Sequence, residues 1–121
     1  MRPAPTGLHL DERNFYEPDV FWIRPDNGLC TLVEKHYWHG APDLIIEILS
    51  PSTAYRDRGI KYEMYEKHGV REYWLVDPEA AFIEVYVLAE GRFARLGLFR
   101  AGQTFTSLVI SADIQVATLL G

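Results

Sequence analysis

Two acids and a lysine stand out in this sequence as groups able to bind a cation or move a proton. Glu47 sits inside the run Ile45-Ile46-Glu47-Ile48-Leu49, which is otherwise apolar. Taking an unpaired carboxylate out of water is costly, or raises its pKa until the group is neutral. Valine or isoleucine would serve stability better. Either Glu47 pairs with a cation that belongs to the fold, or it lines a polar site for a metal or a substrate. Asp19 follows Pro18 at the head of a second apolar run, with Phe21 and Ile23 on its own face. If the two runs are antiparallel neighbours, Asp19 and Glu47 meet across the sheet on opposed or diagonal positions. Two convergent carboxylates make a hard-cation site suited to Mg²⁺ or Mn²⁺. Taken alone, Asp19 reads as a turn or strand-start residue after proline.

Two further residues compete for roles in such a site. Asp43 shares the Glu47 face but lies roughly 13 Å away along the strand, too far for one metal to bind both. It reads as a strand-start cap. Lys61 falls on the segment after the Glu47 strand, on a stripe with Tyr65 and His68. A lysine near a metal site can orient a water or stabilise charge on a phosphate. The plain alternative is a solvated lysine bonded to Asp57 one helical turn earlier.

These residues need elements to hold them. Gly7 to Phe15 reads as a strand and turn with a polar tip at 11–14, and Val20 to Ile23 as a β-branched and aromatic strand. Pro25-Asp26-Asn27-Gly28 is a turn by composition. Leu29 to Gly40 has no clear period and reads as an irregular connection with a short helical turn. Asp43 to Leu49 is apolar on both faces, the mark of a central strand covered on each side. Ser50-Pro51-Ser52-Thr53 breaks it and offers a helix N-cap. The helix runs from about Ala54 to His68, with Ile60 and Met64 on one stripe and Gly69 as its stop before the apolar Val70. Glu72 to Val76 is the next strand, ended by Asp77-Pro78, so strand, helix and strand form a βαβ unit. Phe82 to Leu88 and Arg92 to Phe99 read as an antiparallel hairpin around Ala89-Glu90-Gly91. Gln103 to Ile110 adds a short strand, and Ile114 to Leu120 is a closing strand or a short helix.

Composition bounds the reading. A chain of 121 residues, 48% hydrophobic and 24% charged, fits one globular α/β domain over 1–121. No apolar run approaches the length of a membrane span, and Met1 to Thr6 lacks the apolar core of a secretory signal. The single cysteine, Cys30, cannot form an internal disulfide and fits a reducing, cytoplasmic compartment. The net charge of −5 argues against a grip on DNA by electrostatics alone. It leaves room for a metal site, whose ions offset carboxylates. The four histidines, His9, His36, His39 and His68, do not form a zinc pattern. Tyr37, Trp38, Tyr73 and Trp74 could stack on bases, although Trp74 reads as core. There is no phosphate-cradling Gly-rich loop and no nucleophile elbow.

The block Pro42-Asp43-Leu44-Ile45-Ile46-Glu47-Ile48-Leu49-Ser50-Pro51-Ser52-Thr53 resembles the signature of the Uma2 family, also known as DUF820 or restriction-endonuclease-like proteins. Asp57-Arg58-Gly59-Ile60-Lys61, Tyr65 and Gly69 to Pro78 continue the match, and Glu17-Pro18-Asp19-Val20 looks like the family's earlier strand. The family is similar to PD-(D/E)XK nucleases. The resemblance implies a restriction-endonuclease-like mixed β-sheet core with a flanking helix, in an α/β (α+β) fold. It also implies a Mg²⁺- or Mn²⁺-dependent endonuclease hydrolysing DNA phosphodiester bonds. By resemblance, Asp19 corresponds to the aspartate of the PD motif and Glu47 to the acid of the (D/E)XK motif. The lysine position two after Glu47 is Leu49, and Lys61 matches the place of a lysine migrated to the next helix. Family members usually begin with a helical segment and an initial hairpin, so the expectation here is an N-terminally short domain. Exposed sheet edge and apolar surface would then be covered in a homodimer or higher assembly. The other reading is a catalytically silent nuclease fold serving as an interaction or assembly module.

Overall fold

A computed structural model of the chain describes residues 2–3, 7–11, 15–16, 18–33, 37–50 and 54–120. The elements in chain order are β1 (Arg2–Pro3), β2 (Gly7–His9), β3 (Phe15–Tyr16), β4 (Val20–Trp22), β5 (Thr31–Val33), β6 (Tyr37–His39) and β7 (Leu44–Ile48). After these come α1 (Ala54–His68), β8 (Glu72–Asp77), β9 (Phe82–Ala89), β10 (Arg92–Arg100), β11 (Thr104–Ser107), β12 (Ala112–Gln115) and α2 (Val116–Leu120). A six-stranded sheet in the order β1-β4-β7-β8-β9-β10 carries the domain. The pair β7–β8 is parallel and its other pairs are antiparallel, giving the mixed sheet of an α+β fold.

The central strand is apolar on both faces because both faces are covered. Phe21, Ile45, Tyr73 and Leu75 point to one side and pack with Leu8, Leu10, Tyr65, Val70 and Phe93. Leu44, Ile46, Trp74, Val76, Ile83 and Val85 point to the other and meet Phe105, Val109 and Val116 of the C-terminal segment. Trp74 is therefore core, as its place in a strand predicts, and it meets Phe105 edge to face at 5.0 Å. On the helix side, Tyr65 and Tyr73 meet edge to face at 5.1 Å, and Tyr62 does the same with Tyr86 and Phe93 at 5.2 Å each.

The helix ends where the sequence says it should. Val70 N–H reaches the Tyr65 carbonyl at 3.0 Å and Gly69 N–H the Glu66 carbonyl at 3.2 Å, the paired bonds of a Schellman cap. Gly69 has φ of +90°, a conformation that glycine takes without penalty. The cap drops Val70 into the core and starts β8 beside β7. The expected N-cap at 51–53 lies outside the described residues. Farther up the helix, Ile60 is 60% exposed, so the Ile60 and Met64 stripe is not the buried one. The inward face is carried by Tyr65, with Tyr62 and Met64 partly buried beside it. At the end of α1, both ring nitrogens of His68 face oxygens: Nδ1 the Met64 carbonyl at 2.8 Å and Nε2 an Asp11 carboxylate at 2.9 Å.

The described residues of this stretch, 29–33 and 37–40, carry two short strands rather than an irregular connection. β5 and β6 pair antiparallel there, and β6 runs parallel to β2, in a separate four-stranded sheet of order β3-β2-β6-β5. Three-residue strands are too short for a period to show, and tertiary pairing decides them. Gly40 is required at the end of β6, because a Cβ there would lie 1.6 Å from the Leu29 carbonyl oxygen. The C-terminal ambiguity resolves into both alternatives, since β12 ends at Gln115 and α2 starts at Val116. Among the described residues no helix is long and apolar enough to cross a membrane.

Candidate metal centre

The antiparallel register of β4 on β7 sets Val20 opposite Ile46 and Phe21 opposite Ile45. One residue further, Asp19 stands opposite Glu47. The two acids are tied by backbone as well as by position. Asp19 N–H donates to Glu47 Oε1 at 3.2 Å, and Ile48 N–H donates to Asp19 Oδ2 at 2.7 Å. The register and these two bonds bring Asp19 and Glu47 side by side across the sheet. Their surroundings differ: Glu47 is 5% exposed, whereas Asp19 is open to solvent.

Lys61 comes to the same place from α1, two turns into the helix. Its Nζ donates to Glu47 Oε2 at 2.5 Å, and its side chain keeps 27% of its exposure. The surface pairing with Asp57, the alternative for this lysine, involves a side chain outside the described ones. What is described is a lysine turned inward onto a buried acid. Burial pushes the Glu47 carboxyl above its ordinary value. The hydrogen bond and charge of Lys61 and the Asp19 amide pull it back, while the Asp19 charge pushes it up.

Asp43 occupies the other end of β7 and has a different task. Its Oδ2 accepts Arg24 N–H and Asn27 Nδ2, each at 2.8 Å, and Arg71 Nε lies 3.6 Å from Oδ1. It braces the turn after β4 against the sheet and does not reach Glu47. Cys30 is buried nearby, and its thiol is pushed up to about 12 by burial and by the Asp43 charge, which makes it a poor nucleophile.

Two buried acids escaped the sequence reading. Glu84 of β9 pairs across from Leu75, which in turn pairs with Glu47, so Glu84 shares the Glu47 face with one strand between. Tyr86 Oη donates to it at 2.9 Å and Arg95 Nε lies 3.2 Å away. Its place between the apolar Ile83 and Val85 was the available signal. Glu72 is 1% exposed and faces the C-terminal segment. It receives Trp74 Nε1 at 2.8 Å, Ser107 Oγ at 2.9 Å, Leu108 N–H at 2.9 Å and Val109 N–H at 3.1 Å. Its donors lie as far as 37 residues away, and nothing local announces them.

Among the described residues no three or more His, Cys, Asp or Glu side chains converge on one point. The pair Asp19 and Glu47 nevertheless fits Mg²⁺ or Mn²⁺. Both offer hard oxygen ligands, and Mg²⁺ is commonly held by one or two carboxylates with water completing its shell. Asp19 is exposed, so that water has access.

A family model described as "Putative restriction endonuclease", Uma2, matches residues 2–119. No protein of curated function matches the chain. Among solved structures, one described as a "putative nuclease belonging to DUF820" from Anabaena variabilis is similar over 95% of this chain and 66% of its own. The two are 19% identical with a TM-score of 0.68. The present chain thus spans a little under two thirds of that protein's length, and the likeness shows a shared fold. Since the family model takes in almost every residue, including both strands that carry the acid pair, the chain belongs to the Uma2 family.

Proposed function

We propose that the protein is a divalent-metal-dependent endonuclease that hydrolyses phosphodiester bonds in DNA. One observation carries this reading: Glu47, buried in the central strand, stands opposite Asp19 and is met by the inward-turned Lys61. A stability-driven core has little use for that trio. Asp19 and Glu47 would hold the ion, Mg²⁺ or Mn²⁺. When bound, such an ion lowers the pKa of a water and offsets charge developing on the phosphate. The chain's own contribution is positional. The β4–β7 register sets the two residues on neighbouring strands, and the amides of Asp19 and Ile48 each hold one oxygen of the opposing acid. Lys61 supplies a positive charge from the helix side for the phosphate or its water. With Leu49 in the usual lysine position, no other lysine of the motif competes for that role.

The family description and the nuclease-like neighbour support the same reaction class. The test is plasmid nicking with Mn²⁺, comparing the wild type with Glu47→Ala. Metal-dependent nicking that disappears in the variant supports the reading, and equal behaviour of the two proteins removes it. A second reading, a catalytically silent assembly module, is favoured by the net charge of −5, which weakens any electrostatic hold on DNA. Assembly into a homodimer or larger oligomer in the cytoplasm belongs to both readings. Leu29, Leu32, Leu96 and Leu108 are 63%, 45%, 50% and 69% exposed, and β5 and β10 are edge strands. Light scattering after gel filtration should show more than one copy per particle, and a monomer contradicts it.

A further inference from the structure

The two oxygens of Glu47 are both engaged. Oε1 takes the Asp19 amide and Oε2 takes the Lys61 ammonium. Asp19 uses only Oδ2, on the Ile48 amide, and its Oδ1 accepts no hydrogen bond among the described residues. A cation that touches both acids therefore finds Asp19 open and Glu47 already holding a positive charge. An ammonium and a divalent ion at the same carboxylate oxygen compete, since two positive charges in contact in a half-dry site repel. Nor can one ammonium neutralise Glu47 and stabilise a phosphate at the same time.

We propose that Lys61 is the resident counter-ion of this centre, holding Glu47 in place until a divalent cation takes over at Oε2, and that the exchange releases its ammonium toward the phosphate. The proposal rests on the metal-dependent reading above and assigns Lys61 two positions within it. Three features argue for a replaceable partner rather than a permanent one. Burial as such does not demand a lysine in this fold, because Glu72 is buried more deeply and is satisfied by an indole, a hydroxyl and two amides. Lysine is also a single point charge on a flexible stem, whereas arginine would clamp a carboxylate through two bonds. Lastly, the stem is partly exposed, so the ammonium can swing into water without unpacking the core.

The experiment measures Mn²⁺ binding by electron paramagnetic resonance for the wild type, Lys61→Met and Lys61→Arg, with circular dichroism confirming the fold of each. Removing the competing charge should tighten Mn²⁺ binding by about ten-fold in Lys61→Met. Lys61→Arg should bind no more tightly than the wild type. Equal or weaker binding by a folded Lys61→Met overturns the proposal, because a counter-ion that the metal displaces from Glu47 must compete with it. Binding by none of the proteins is a different result, since it overturns the metal-dependent reading and the exchange with it. Should Lys61→Met fail to fold, the wild type decides the matter alone. With its lysines ¹³C-dimethylated, the Lys61 resonance should shift as Mg²⁺ saturates the Asp19 amide signal. A Lys61 resonance that stays put during that titration overturns the proposal.

Discussion

Glu47 and Glu72 are both buried in the same sheet, and they are buried in opposite ways. Glu72 faces the C-terminal layer, where four neutral donors surround its two oxygens. Those donors close the space around it and stitch β8 to the 107–109 turn. Glu47 faces the helix side at the end of β7, where it has one amide, one ammonium and a second acid at its shoulder. The first arrangement spends the carboxylate on the fold. The second leaves it partly uncommitted, with burial holding its pKa up and a lysine keeping it tolerable. Burial of an acid is thus a weak sign of function, and the nature of its partners is a strong one.

The contrast between the two glutamates is open to mutation. The largest effect is expected at Glu47: Glu47→Gln should lower metal-dependent nicking by about 1,000-fold, or about 4 kcal/mol of transition-state stabilisation. It should leave the circular dichroism spectrum intact, and chelation of the metal with EDTA should abolish wild-type nicking in the same assay. The converse holds at Glu72. Glu72→Ala strands four donors and should cost about 3 kcal/mol in urea unfolding, with nicking per folded molecule unchanged. Loss of activity without loss of stability at Glu72 would erase the distinction. Asp43 sits between the two cases as an acid committed to a turn. Asp43→Ala should cost about 2 kcal/mol, by releasing the Arg24 and Asn27 bonds, and should spare Mn²⁺ binding.

A smaller effect is expected from pH. The folded Glu47 carboxyl is raised above its unfolded value, so the folded state holds that proton more tightly. Its favourable contribution is full below the unfolded value and is lost as pH climbs through the raised folded one. In the absence of metal, the stability of the wild type relative to Glu47→Gln should therefore decline as pH rises from about 4 toward neutrality. Urea midpoints across that range check it, and a gap moving the other way contradicts it. Saturating Mg²⁺ should restore stability to the wild type alone.

How much of this was legible in the sequence follows from how local each cause is. The β7 strand, α1 from Ala54 to His68 and the β9–β10 hairpin are written in runs long enough for period and punctuation to speak. Glu47 stood out because a carboxylate among isoleucines contradicts its own neighbourhood, and Asp19 because antiparallel pairing is a short geometric step. Helix spacing alone favours a solvated Lys61 bonded to Asp57, and only the packing of α1 on the sheet reveals its inward turn. Ile60 misled because apolar type does not say which way a helix faces. Glu72 looked like the polar start of a strand, and only the folding back of Ser107 to Val109 reveals what it holds. The β5–β6 pair was invisible because three-residue strands owe their existence to their neighbours.

The most direct measurement is a crystal soaked in Mn²⁺ and read by anomalous scattering. We expect one peak between Asp19 and Glu47, about 2.1 Å from an oxygen of each, with the Lys61 ammonium moved off Glu47. A well-ordered crystal without such a peak, Lys61 still seated on Glu47 at a saturating Mn²⁺ concentration, would contradict the claim that this acid pair is a metal centre.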